Sequence, residues 1–137
     1  MRTRAKICGI TRPQDIHAAV NAGVDAIGLV FFEPSPRYVN IELATQLAKL
    51  IPPYVIIVGL FVNATAEEIA QVLEQVPLDV IQFHGDETAE QCQQIAQYNK
   101  RRWYKAIQVK TDATRTEIIS TIQQYQQRSE ERRVGKE

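Results

Sequence analysis

The chain has 137 residues, 45% apolar and 23% charged, the mix of one soluble globular domain or of an incomplete copy of a larger one. Sixteen Lys and Arg balance sixteen Asp and Glu, for a formal net charge of zero, which argues against broad nucleic-acid binding and a polybasic membrane anchor. No apolar run approaches the ~20 residues of a spanning helix, and two cysteines, Cys8 and Cys92, are too few for a disulfide framework or a zinc site. The N-terminus leads directly into a strand-like run and not into a signal-peptide core, so a reducing, cytoplasmic setting is expected.

In chain order, apolar runs of strand length fall at 5–10, 26–32, 54–62, 79–83 and 103–109, recurring roughly every 24 residues. They are rich in Val, Ile and Phe without clean alternation, which suits strands buried on both faces of a parallel sheet. Helical stretches lie between them. The first opens at Thr11-Arg12-Pro13-Gln14, a capping-box pattern, and Gly23 suits its C-terminal stop. The second, near 41–50, lacks a box, but Asn40 can cap it and Pro52-Pro53 ends it. Thr65-Ala66-Glu67-Glu68, Thr88-Ala89-Glu90-Gln91 and Thr114-Arg115-Thr116-Glu117 repeat the box before the third, fourth and fifth. The order is βαβαβαβαβα, an α/β chain with right-handed crossovers. An open doubly wound sheet is complete at five such units. A (βα)8 barrel needs ~200 residues or more.

Residues 128–137 break this pattern, being mostly charged and without strand or helix periodicity. The expected division is five βα units over 1–127 and a charged tail over 128–137, either disordered or a non-native scar.

Ligands of parallel α/β proteins bind beyond the carboxyl ends of the strands, and the unusual polar residues gather there. Cys8 closes the first run, Pro34-Ser35-Pro36-Arg37 follows the second, Asn63 the third, Gln82 and His84 close the fourth, and Lys110 follows the fifth. Lys6 and Cys8 share one face of their strand, as do Gln82 and His84. A cation two residues from a thiol favours its reactive form. Arg37, between prolines, suits a carboxylate or phosphate. Cys92 and His17 read as helix residues without a chemical role.

The segments Lys6-Ile7-Cys8-Gly9-Ile10-Thr11, Gly28-Leu29-Val30-Phe31-Phe32, Ser35-Pro36-Arg37-Tyr38-Val39, Gly59-Leu60-Phe61-Val62-Asn63 and Gln82-Phe83-His84-Gly85-Asp86-Glu87 resemble, in order and spacing, those of phosphoribosylanthranilate isomerase. The resemblance covers roughly residues 5–127 and implies a (βα)8 TIM barrel seen here as its first five units. It implies an Amadori rearrangement of N-(5′-phosphoribosyl)anthranilate in tryptophan biosynthesis, without metal or cofactor. Cys8 matches the general base, Arg37 the clamp on the anthranilate carboxylate, and Lys6, Gln82 and His84 the floor of the substrate pocket. The family's general acid closes a sixth strand, and its phosphate loops follow the seventh and eighth. Asp112 does not match that acid. The expectation is a chain inactive alone, with open sheet edges that invite self-association. The competing readings are a complete five-unit flavodoxin-like binding module, another phosphosugar barrel, and a non-catalytic half-barrel.

Overall fold

The computed structural model describes residues 1–134, with side chains described as far as residue 126. Strands β1 (Lys6–Cys8), β2 (Ala26–Val30), β3 (Ile56–Phe61), β4 (Val80–Phe83) and β5 (Arg102–Lys105) alternate with helices α1 (Pro13–Asn21), α2 (Ile41–Ala48), α3 (Ala66–Leu73), α4 (Ala89–Tyr98) and α5 (Arg115–Val134). Every strand pair is parallel, and the spatial order is β1-β2-β3-β4-β5. That order separates the two architectures left open by spacing. A doubly wound sheet reverses at a switch point and places a later strand on the far side of the first. Here each strand adds beside its predecessor, the winding of a barrel. The sheet also curls. Lys6 on β1 hydrogen-bonds Gln82 on β4 at 2.8 Å, whereas three strand spacings in a flat sheet would hold them about 14 Å apart.

Alternation sorts the two faces. Ile27, Leu29, Ile57, Phe61, Ile81 and Phe83 turn toward the helices and form the core with Ile16, Leu47 and Ile69. The concave face carries Lys6 and Cys8, then Val58 and Leu60, Gln82 and Tyr104. β2 and β3 are nearly buried throughout, whereas β1 and β5 are sheet edges and half exposed.

Thr65 with Glu68 and Thr88 with Gln91 form the expected capping boxes. Thr114 and Glu117 exchange the same two bonds, and the Asn40 side chain accepts the Leu43 N–H at the start of α2. The box at Thr11 does not form. Pro13 pushes the residue before it into extended backbone, and Arg12 is extended at φ −127° and becomes the N-cap. Its guanidinium grips Asp15 at 2.7 and 3.0 Å.

The strands are shorter than the apolar runs. β1 stops at Cys8 because Gly9 turns to φ +84°. β5 stops at Lys105, since β4 has ended at Phe83, so Lys110 lies well past the strand end and is exposed. Helix α5 continues to Val134, through the boundary expected at 127. The pattern breaks at Arg128 but the backbone does not, because Glu, Arg and Gln are good helix formers without an apolar face. Residues 135–137 of the expected tail lie outside the described residues. Among the described residues no helix is long and apolar enough to cross a membrane.

Candidate active site

Cys8 ends β1 half-buried, with its sulfur free. The next residue sets the site. Gly9 adopts φ +84° and donates its N–H to Gly28 O at 2.9 Å. A Cβ at Gly9 would fall 2.6 Å from both Cδ and Nη1 of Arg37, so the bare glycine is what lets the Arg37 side chain lie across it. Arg37 Nη1 donates to Cys8 O at 3.2 Å. The loop bearing Arg37 is pinned by Val39 N–H to Val30 O at 2.9 Å and by Arg37 N–H to Ser35 Oγ at 3.1 Å. A planar cation is therefore held over the Cys8–Gly9 backbone while itself remaining exposed.

Lys6 does not turn to the thiol. Its Nζ donates to Gln82 Oε1 at 2.8 Å, and the Tyr104 hydroxyl donates to the same oxygen at 3.0 Å. Lys6 Nζ also lies 5.7 Å from the centre of the Tyr104 ring. Lys6 and Cys8 share the concave face of β1, and among the described residues no hydrogen bond joins them. Gly28 lies between them, with the place of its missing Cβ 2.9 Å from Cys8 Sγ and 3.2 Å from Lys6 Cε. Gln82 is buried, and Tyr104 is a concave-face residue the sequence reading did not single out.

His84 stands apart from this group. Its side chain is exposed and lines a cavity of about 680 Å³ with Asn63, Asp86, Lys105 and Tyr125. Lys6, Cys8, Arg37 and Gln82 do not line that cavity. Beneath it lies a buried polar network. Glu87 and Lys105 pair at 2.8 Å with side chains 4% and 6% exposed. The Glu87 carboxylate also accepts the N–H groups of Asn63 and Gly85, each at 2.9 Å. Lys105 Nζ donates to Gly85 O as well, Asn63 Oδ1 accepts the Asp86 N–H at 2.8 Å, and the Tyr125 hydroxyl donates to Glu87 O at 2.8 Å. One carboxylate thus ties together the ends of β3, β4 and β5. Burial pushes the Glu87 carboxyl up, but the Lys105 ammonium and the N–H donors outweigh it and hold it below the ordinary value. Lys105 was missed in the sequence, although it shares its strand face with Trp103, and a cation on an apolar face signals a buried partner.

Cys92 is fully buried, and burial, then the nearby Glu87 charge, push its thiol up to about 12. That fits its reading as an inert helix-face residue. His17 is exposed on α1. Among the described residues no group of three or more His, Cys, Asp or Glu side chains could hold a metal ion.

Residues 5–128 match the family model described as N-(5′-phosphoribosyl)anthranilate (PRA) isomerase. The chain belongs to the phosphoribosylanthranilate isomerase family. An N-(5′-phosphoribosyl)anthranilate isomerase of Acinetobacter calcoaceticus is 64% identical over 126 residues, covering 92% of this chain and 58% of that protein. Its counterpart in Ralstonia pickettii is 53% identical over 117 residues, 85% of this chain and 50% of that one. The crystal structure of the Thermotoga maritima isomerase superposes with a TM-score of 0.80 at 36% identity, covering 89% of this chain and 57% of that chain. A phosphoribosylanthranilate isomerase solved with reduced 1-(o-carboxyphenylamino)-1-deoxyribulose 5-phosphate matches equally, at 0.80 and 36%, over 89% and 60%. The chain spans about half to three fifths of the length of these relatives. Its fold is that of the family's α/β barrel, represented by five βα units.

Proposed function

We propose that this chain is the part of a phosphoribosylanthranilate isomerase that carries the general base and the carboxylate clamp. The observation that carries the reading is Arg37 lying across Gly9 with Nη1 on the Cys8 carbonyl at 3.2 Å. It puts a fork suited to both oxygens of a carboxylate on the backbone of the residue that bears a half-buried thiol. In this reading the substrate is N-(5′-phosphoribosyl)anthranilate, converted in the cytoplasm to 1-(2-carboxyphenylamino)-1-deoxyribulose 5-phosphate, a step of tryptophan synthesis. Opening of the furanose ring leaves a protonated Schiff base with an acidic proton at C2′. The Cys8 thiolate removes it, and the enolamine that forms tautomerises to the ketose. A positioned base of this kind contributes ~10²–10⁴-fold. Arg37 holds the anthranilate carboxylate, and Lys6 and Gln82 form the floor; His84, which the resemblance also assigns to the floor, lines the neighbouring cavity.

The family resemblance places the acid that opens the ring after a sixth strand and the phosphate loops after the seventh and eighth. The described sheet has five strands, so the chain alone is expected to turn over no substrate. Turnover of phosphoribosylanthranilate that Cys8→Ala abolishes would overturn that expectation. The clamp is tested by calorimetric titration with reduced 1-(o-carboxyphenylamino)-1-deoxyribulose 5-phosphate. Arg37→Ala should weaken binding by about tenfold or more, the worth of a charge-assisted hydrogen bond. Equal affinity in the wild type and Arg37→Ala would remove Arg37 from the site. We also propose that the unpaired edges of β1 and β5 let copies of the chain associate.

A further inference from the structure

We infer that Tyr104 is a positioning residue of the site. Its hydroxyl, together with the Lys6 ammonium, fixes the Gln82 carboxamide so that the amide NH2 group meets an oxygen of the substrate's sugar. This role rests on the isomerase reading proposed above and adds a residue to it. Alternation puts Tyr104 on the concave face. Its neighbour Trp103 turns the other way, into the core, edge-on to Phe83 with ring centres 5.8 Å apart. Gln82 and Tyr104 are register partners on β4 and β5, so their side chains stand together on the concave side. The contacts that follow are made by side chains within the curl of the sheet, not along a strand edge.

The chemistry of the partners sets the orientation of the amide. A lysine ammonium can only donate, so the Gln82 atom 2.8 Å from Lys6 Nζ is the oxygen. The Tyr104 hydroxyl, 3.0 Å from that same oxygen, then donates as well. Donors to a carbonyl oxygen prefer to lie near its plane, along the two lone pairs. One such bond leaves the broad terminal torsion of a glutamine free to swing, whereas two fix the plane. With both lone pairs engaged, Gln82 has only its two N–H groups left for a ligand. Among the described residues these find no acceptor, and the side-chain polar atom wholly buried without a partner is the Trp103 indole nitrogen alone. The Gln82 NH2 group therefore keeps an opening on the concave side, although the residue is only 7% exposed. Lys6 is held from a second direction, its Nζ 5.7 Å from the centre of the Tyr104 ring. Lys6 and Gln82 thus offer donors alone, which suits an accepting oxygen such as the sugar hydroxyl that the rearrangement turns into a ketone.

Calorimetric titration of the full chain with reduced 1-(o-carboxyphenylamino)-1-deoxyribulose 5-phosphate tests this in a double-mutant cycle of Tyr104→Phe and Gln82→Met. Tyr104→Phe keeps the ring and removes one donor. It should weaken binding roughly three- to tenfold, the worth of one hydrogen bond, and add no further loss in the Gln82→Met background. A tyrosine that only packs would cost the same in both backgrounds. Without ligand, the NMR order parameter of the Gln82 side-chain amide should be high in the wild type and fall in Tyr104→Phe. Circular dichroism checks that each variant folds, with Gln82→Leu as the substitute on β4. Unchanged affinity in Tyr104→Phe, where Arg37→Ala weakens binding, leaves the isomerase reading standing and overturns the role of Tyr104. Equal losses in both backgrounds overturn it too, as does an amide equally rigid without the hydroxyl. A wild type that binds no analogue removes the pocket itself, and the role of Tyr104 with it.

Discussion

At Glu87 burial and charge oppose each other, and the outcome sets how the site's rim is held. Its carboxylate collects Lys105 and two backbone N–H groups from turns after β3 and β4. Glu87→Gln leaves the Lys105 ammonium buried without its counter-charge, a change that costs roughly 3–5 kcal/mol; urea unfolding measures it. The pH dependence follows from the lowered carboxyl. Below the ordinary glutamate value of about 4.3 the unfolded chain takes up this proton more readily than the folded one. The stability contributed by Glu87 is present above that value and drains as pH falls through its folded pKa. Urea midpoints taken downward from neutral pH should therefore drop more steeply in the wild type than in Glu87→Gln, the difference curve removing the half-buried carboxylates Asp15 and Asp25, which their arginine partners also hold low. Parallel curves would show that Glu87 is not held as described. Gly9 makes a second test at this scale. Gly9→Ala must keep φ +84° at a cost of about 1–2 kcal/mol and must displace Arg37. It should lower the melting temperature and also weaken binding of the reduced product analogue as Arg37→Ala does. A stability loss with unchanged affinity would mean that Arg37 binds nothing from its place over Gly9.

Helix ends show where local sequence decides structure and where it yields. α1 closes with Gly23 at φ +83°, its N–H on Val20 O at 3.0 Å and Val24 N–H on Ala19 O at 3.3 Å. α4 closes with the same paired bonds, Lys100 N–H on Gln97 O at 3.1 Å and Arg101 N–H on Ala96 O at 3.0 Å, but with Lys100 at φ +54°. A side chain there is strained. Lys100→Gly should stabilise the chain by up to about 1 kcal/mol, relief of left-handed strain set against the greater freedom of unfolded glycine. An unchanged or lower melting temperature would sink that account. Three Thr boxes and the Asn40 cap were legible because each needs only residues within one turn. The box at Thr11 failed for an equally local reason, the restriction Pro13 places on Arg12. The end of β5 was not legible, because an apolar run continues to Val109 while the strand that would pair with it stops at Phe83.

For the molecule as a whole, repeated units and strand-end polarity were readable, but spacing alone could not choose between an open sheet and a barrel. That choice lies in strand order and curl, which belong to the packed sheet. The Arg37–Cys8 contact spans 29 residues and the Lys6–Gln82 bond 76, distances at which sequence offers face and position but no partner. Strand order also sets how stability is distributed. β3 is central, flanked by ladders on both sides and almost wholly buried, so its amides open only with the fold. Among the described residues β5 has a ladder on one side only, and since Ala106 donates its N–H to Phe83 O at 2.9 Å, alternation turns the N–H groups of Trp103 and Lys105 to the other. In dilute solution, hydrogen exchange by NMR should find the Trp103 and Lys105 amides fast and the Val58–Phe61 amides slowest, although Trp103 is a core residue by side-chain burial. The combination separates two causes of protection. If side-chain burial governed exchange, Trp103 would rank with Phe61. If the open ladder governs it, Trp103 exchanges with the edge, and slow exchange there at high dilution would mean that β5 is not an open strand.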